Sequence, residues 1–332
     1  MILVLRALGV GDLATAVPAL RALRAGYPDR ELVLAAPRWL TPLVDLVGGV
    51  DRVLPTDGLV PLDLAGRPPE LAVNLHGRGP RSHRLLRAAG PGRLLAFRCP
   101  PAGHPDGPDW DDTEHEVRRW CRLVRWHGLP VDPTDLVLRA PAPDRVPVGV
   151  TIVHPGTKVP AKRWSPSRFA ALAGELSRRG HRVVVTGSPA ERNVAEQVAR
   201  RAGLSLTAVL AGRTGLTELA ALVAHARLVV SGDTGVAHLA TGYGTPSVVL
   251  FGPVPPARWG PPADRPRHRV LWAGPPPTGR RPDGTEGPAW AGVGVHPSMA
   301  ALPVDRVLLA VDEAERVEQA ERAERNDGAV AA

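Results

Sequence analysis

The chain has 332 residues, 44% of them hydrophobic, and a formal net charge of +8. That length suits two domains with separate cores, and no stretch approaches the roughly 20 apolar residues that span a bilayer. Aromatic residues at 4%, without zinc-finger spacing or a basic region leading into heptads, set nucleic acid aside as a partner, and two cysteines, Cys99 and Cys121, give no disulfide framework and fit a cytoplasmic location.

The opening "ILVL" reads as a first strand rather than a signal peptide, since Arg6 interrupts the apolar run. "ELVLAA" (31–36), "LAVNL" (71–75) and "RLLAF" (93–97) read as further strands, with "DLATAVPALRALRAG" and "DTEHEVRRWCRLVRWHG" as helices. A proline-rich stretch at 130–148 reads as a linker, which divides the chain into domains at 1–147 and 148–315 followed by a charged helix end and tail, 316–332. After the linker the strands "VGVTIVHP", "HRVVVTG", "LTAVLAG", "RLVVSGD" and "PSVVLFG" alternate with helices. Apolar strands separated by helices predict α/β units with doubly wound parallel sheets. Residues 253–298, rich in proline and glycine and carrying Trp259, Trp272 and Trp290, read as a long surface loop, and "NDGAVAA" as a loose tail. The first domain carries a net charge of +2 and the remainder +6, a basic excess that suits phosphorylated small molecules.

Four segments carry candidate chemistry. In "RALGVGDLATAVPAL" (6–20), Gly9, Gly11 and Ala14 formally fit a dinucleotide fingerprint. Two features oppose a nicotinamide cofactor. "AAPRW" stands where strand two should end in an acid, and Asp12 occupies the helix start that would receive a pyrophosphate. Asp12 reads as an N-cap, as a general base aimed at an acceptor hydroxyl, or as both.

The loop "HPGTKVPAKRW" (154–164) holds both lysines of the chain, Lys158 and Lys162, against 39 arginines elsewhere. A mobile ammonium follows a departing diphosphate better than a planar guanidinium does, and Thr157 adds a hydroxyl. In "VVSGDTGVAHLATGYGTPSVVLFGP" (229–253) a strand runs into a helix start at Thr234 and Gly235, with His238 one turn inside. The amides there suit a diphosphate, and Asp233, which would repel phosphate, suits sugar hydroxyls. "NLHGRGPRSHRLLRAAGPGR" (74–93) places Arg81, Arg84 and Arg87 on one helix face, read as a solvated face or as a landing surface for an anionic acceptor or the inner membrane face. His76 and Arg78 follow a strand end. "DWDD" (109–112) reads as an acidic first turn rather than a metal site.

Taken together, "GD" at 11–12, "AKRW" at 161–164, "GDTGVAHLA" at 232–240 and "NLHG" at 74–77 resemble glycosyltransferase family nine, the ADP-heptose:lipopolysaccharide heptosyltransferases, over residues 1 to about 315. The resemblance implies a GT-B fold, two Rossmann-like domains facing a cleft, with the last helix packed back on the first. It implies inversion by direct displacement, Asp12 as base, and no cofactor or metal. Donor contacts fall to Thr157, Lys158, Lys162, Asp233, Thr234, Gly235 and His238, and acceptor contacts to Gly11, His76 and Arg78. The donor is then a nucleotide-diphosphate sugar, ADP-heptose by resemblance, and the acceptor an anionic glycan or a secondary metabolite. A nucleotide-sugar epimerase of the same architecture and a non-catalytic nucleotide-sugar binder are the alternatives.

Overall fold

The computed structural model describes residues 1–274 and 294–330. It comprises two compact units, Met1–Arg139 and Ala140–Ala332. The first runs β1 (Ile2–Leu5), α1 (Val10–Thr15), α2 (Val17–Gly26), β2 (Leu32–Ala36), α3 (Thr41–Val47), β3 (Arg52–Pro55), β4 (Leu71–Asn74), α4 (Arg81–Ala88), β5 (Arg93–Leu95) and α5 (Glu116–Trp126). The second runs β6 (Thr151–His154), α6 (Pro166–Arg178), β7 (Val183–Val185), α7 (Arg192–Arg201), α8 (Leu216–Ala224), β8 (Leu228–Gly232), α9 (Gly235–Tyr243), β9 (Ser247–Phe251), α10 (Pro256–Trp259), β10 (His268–Trp272), α11 (Pro297–Ala300) and α12 (Val304–Val330).

Among the described residues each unit carries one five-stranded parallel sheet, ordered β3-β2-β1-β4-β5 and β10-β9-β8-β6-β7. Strands covered by helices on both faces read as unbroken apolar runs, and every residue of β1, β2 and β9 is buried. Two of the edge strands obey a weaker rule. β3 is half exposed and β10 mostly half buried, so "RVLP" and "HRVLW" lack the long apolar run of a central strand. β10 corrects the reading of 253–298 as irregular, because the stretch contributes a sheet edge paired in register to β9 from His268–Ser247 to Trp272–Phe251. Residues 275–293 of that stretch, Trp290 included, lie outside the described residues.

"LTAVLAG" is not a strand either. Leu206–Ala208 form a single 3-10 turn, and Val209 makes one isolated bridge to Val185. The final helix runs to Val330 where a loose tail from residue 326 was expected. Its buried residues Val307, Ala310, Val311 and Ala314 recur at helical spacing. That stripe is taken up by β9, β10 and α6 of the second unit. Arginine–carboxylate pairs flank the stripe, among them Arg227–Glu315, Arg179–Asp312 and Arg269–Glu313.

Trp164 pins the lysine loop to the second core. It is 2% exposed, meets Phe169 edge to face with ring centroids 4.8 Å apart, and donates from Nε1 to the Leu302 carbonyl at 2.9 Å. Arg168 donates to the same carbonyl at 3.0 Å, so that oxygen keeps a partner if the indole N–H is lost. Trp164→Phe is expected to cost only about 1 kcal/mol, and Trp164→Ala about 3–5 kcal/mol because it leaves a cavity. Urea unfolding of both variants checks this, and equal midpoints would contradict it.

Candidate active site

In an open parallel sheet, ligands bind beyond the carboxyl ends of the strands where the winding reverses. In the first unit the chain leaves β1 toward β2 on one side, while β4 enters on the other. The loops after β1 and β4 therefore lie side by side. The first carries Arg6, Gly11 and Asp12, the second His76 and Arg78.

The N-cap of α1 is Gly9, and Asp12 is the third residue of the helix, which corrects the reading of Asp12 as N-cap. Its Oδ2 accepts the Gly9 backbone N–H at 3.0 Å, satisfying an end donor and fixing the carboxylate. Its Oδ1 lies 3.6 Å from Arg6 Nη2, beyond hydrogen-bond length, and the side chain is 29% exposed. The Arg6 guanidinium is fully buried. Its Nε donates to the Asp12 carbonyl at 2.9 Å, Nη1 to the Leu75 carbonyl, and Nη2 to Thr15 Oγ1 at 3.2 Å. Burial draws the Arg6 pKa down, and Asp12 and Glu116 oppose that shift.

His76 is half buried, with its backbone N–H on Asn74 Oδ1 at 3.0 Å. Burial first, then the Arg6 charge, holds its pKa below the ordinary histidine range, and Asp12 works the other way. The Arg6 bond to the Leu75 carbonyl sets the loop that carries His76 beside that guanidinium. Arg78 does not join them; it is exposed and pairs with Asp112 at 3.4 Å. The Asn74 amide donates to Ser82 Oγ and to His83 Nδ1, each at 3.0 Å, while His83 Nε2 donates to the Phe97 carbonyl at 2.8 Å. Gly79 turns above that ring at φ +83°, and a Cβ there would lie 2.3 Å from His83 Nδ1, so glycine is required.

The arginine face of α4 is less open than the sequence suggests. All three arginines are exposed, but Arg84 donates to the Pro101 carbonyl at 2.8 Å and Arg87 to the Ala102 carbonyl at 3.3 Å. Asp109 and Asp112 meet Arg98 and Arg78, and Asp111 accepts from Thr113.

In the second unit the reversal lies between β6 and β8, bringing the lysine loop beside the start of α9. Lys162 closes the 3-10 turn Pro160–Lys162, and its Nζ donates to Asp233 Oδ2 at 2.5 Å. The carboxylate is 5% exposed and the ammonium 19%. His238 Nε2 lies 3.9 Å from Asp233 Oδ1, and its ring meets Trp259 edge to face. Thr234 is the N-cap of α9 but makes no side-chain cap bond. Its Oγ1 and the Ser231 Oγ are buried without a protein partner among the described residues, and Gly235 opens the helix with the end N–H groups. Thr157 is half buried and accepts the Val159 N–H at 3.3 Å, while Lys158 is exposed. The two lysines therefore part: Lys162 enters the site and Lys158 faces solvent.

Three residues escaped sequence reading. The Glu191 carboxylate packs against Gly156, where a Cβ would come within 2.4 Å of its carboxyl carbon, and it accepts from Ser188 N–H at 2.7 Å and Oγ at 2.8 Å. The Ser-x-x-Glu spacing of that turn was a visible signal. An arginine inside an apolar opening marked Arg6. Glu116, 110 residues away from Arg6 in sequence, gave no local sign. Among the described residues no helix is long and apolar enough to cross a membrane.

Residues 114–283 match glycosyltransferase family 9 (heptosyltransferase). Lipopolysaccharide heptosyltransferase 2 of Escherichia coli K12 is 25% identical over 294 residues, 77% of this chain and 83% of that protein. Lipopolysaccharide heptosyltransferase 3 of Escherichia coli is 31% identical over 112 residues, so the match spans about a third of the length of either chain. The solved structure of Escherichia coli ADP-heptose lps heptosyltransferase II superposes with a TM-score of 0.73 at 22% identity, covering 96% of this chain and 99% of that one, which fixes the GT-B fold. With the family match reaching over half of its length, the chain belongs to glycosyltransferase family 9.

Proposed function

We propose that this protein is an inverting glycosyltransferase that moves a sugar, heptose by the names of its relatives, from a nucleotide diphosphate, ADP-heptose, to a hydroxyl of a glycan or small-molecule acceptor. The observation that carries the reading is the Lys162–Asp233 pair at the start of α9. A buried carboxylate there opposes a diphosphate, and the lysine cancels it. At ~4 Å and an effective dielectric near 20, one such contact is worth about 4 kcal/mol before desolvation. The Thr234 hydroxyl and the Gly235 amide face the same end, where a helix start favours negative charge. Asp233 and His238 are then placed for the sugar, and Thr157 and the exposed Lys158 for the outer phosphate.

On the first unit, Asp12 Oδ2 is held by Gly9 and Oδ1 has no hydrogen bond shorter than its 3.6 Å approach to Arg6. Oδ1 is therefore the oxygen that takes the proton. The acceptor oxygen bonds to the anomeric carbon, the carbon–phosphate-oxygen bond breaks, the proton passes to Asp12, and the electron pair leaves with the diphosphate. Lys162 and the α9 amides donate hydrogen bonds to the departing diphosphate. Gly11 and His76 frame the acceptor.

Purified protein with ADP-heptose is expected to release ADP only when a glycan acceptor is added. Conversion of the donor alone to another sugar would instead indicate an epimerase, and binding without turnover across the panel a binding protein. Asp12→Asn is expected to lower kcat by about 10²–10⁴-fold with donor Kd within twofold; wild-type turnover would remove Asp12 as base. Lys162→Met is expected to weaken ADP binding about 10- to 100-fold by calorimetry, on the scale of one charged hydrogen bond. It also strands Asp233, costing about 3–5 kcal/mol of stability, so Lys162→Arg serves as the charge-keeping control. An unchanged Kd in Lys162→Met would contradict the donor reading.

A further inference from the structure

We propose that Glu116 is a positioning residue for the transfer step, because it shares the buried Arg6 guanidinium with Asp12 and so leaves Asp12 Oδ1 able to accept a proton. This rests on the reading of Asp12 as base. One atom, Arg6 Nη2, faces both carboxylates, Glu116 Oε1 at 3.4 Å and Asp12 Oδ1 at 3.6 Å. The two acids differ in exposure: the Glu116 side chain is 7% exposed and that of Asp12 29%. Glu116 is therefore the permanent counter-ion and Asp12 the one that meets substrate.

Glu116 is itself held in place. It sits in the first turn of α5, its Oε1 accepts from Trp120 Nε1 at 3.1 Å, and its Oε2 pairs with Arg119. The Trp120 ring lies under Arg6, 4.5 Å from centroid to guanidinium carbon, and the Trp110 ring lies 4.3 Å from the Arg119 guanidinium carbon. Two cations and two carboxylates thus balance in a largely buried site. Remove the Glu116 charge and Arg6 has Asp12 as its remaining anionic partner, which makes Asp12 a weaker base.

The titratable groups around Asp12 are Arg6 from the end of β1, His76 from the loop after β4, and Glu116 and Arg119 from α5. Of the helices packed on α1, α2 brings Arg21 and Arg24, which are tied to Asp135 and Asp51, and α3 brings Asp45.

The test is the pH profile of kcat for Glu116→Gln, with Glu116→Asp as the charge-keeping variant. Glu116→Gln is expected to keep both substrate KM values within about twofold, lower kcat near neutrality about threefold to tenfold, and move the acid limb about one unit toward lower pH. Glu116→Asp is expected to hold the limb at its wild-type position. The shift is expected to persist in a His76→Gln background; its loss there would assign the limb to His76 and overturn the proposal. Should Glu116→Gln not fold, Trp120→Phe removes the anchoring bond and keeps every charge, and is expected to move the limb the same way by less. A folded variant with the wild-type profile overturns the role of Glu116. Asp12→Asn run alongside separates the two readings: if it turns over like wild type, Asp12 is not the base and the proposal falls with it; if it is inactive while Glu116→Gln matches wild type, only the proposal about Glu116 falls.

Discussion

A parallel sheet covered on both faces forces every strand to be re-entered from the same end, so all functional loops collect along one edge. Where the winding reverses, two of those loops become neighbours with no crossover between them. That constraint operates twice in this chain, between β1 and β4 and between β6 and β8. It sets Asp12 and Arg6 beside His76, and Lys162 beside Asp233. Each meeting point gathers opposite charges in a poorly hydrated place, and a buried charge without a partner is too costly to keep.

The distribution of cations follows from what each partner must do. Arginine serves where the partner stays put. Arg168 clamps the Ala300 and Leu302 carbonyls, Arg119 holds Glu116 and the Asp111 and Glu114 carbonyls, and Arg227 grips Glu315 with two nitrogens. A planar fork suits such fixed, several-point contacts. Lysine serves at Lys162, where one compact charge meets one carboxylate oxygen at the start of a helix. That single contact leaves two further ammonium N–H groups to donate to a phosphate oxygen while Asp233 keeps its partner.

Legibility in the sequence follows burial and separation. The central strands announce themselves because both faces are covered. β3 and β10 do not, since these two edges are only partly covered, and β10 lies inside a proline-rich stretch that hides its five residues. Asp12, Lys162, Asp233 and Thr234 were legible because each sits where a strand turns into a helix or 3-10 turn, a local pattern. What was not legible is their pairing. Asp233 reads for sugar hydroxyls and Lys162 for phosphate, and the sequence gives no sign that the two bond to each other across 71 residues. The Arg6–Glu116 contact spans 110 residues, and only the packing of α5 on α2 beside β1 creates it.

The most direct measurement is a crystal structure of the protein with ADP bound. The expected result is a diphosphate against the Thr234 and Gly235 amides, with Lys162 Nζ bridging Asp233 Oδ2 and a phosphate oxygen. A diphosphate seated instead on the Gly9–Gly11 turn before Asp12, with no phosphate oxygen on Lys162, would contradict the division of labour between the two units.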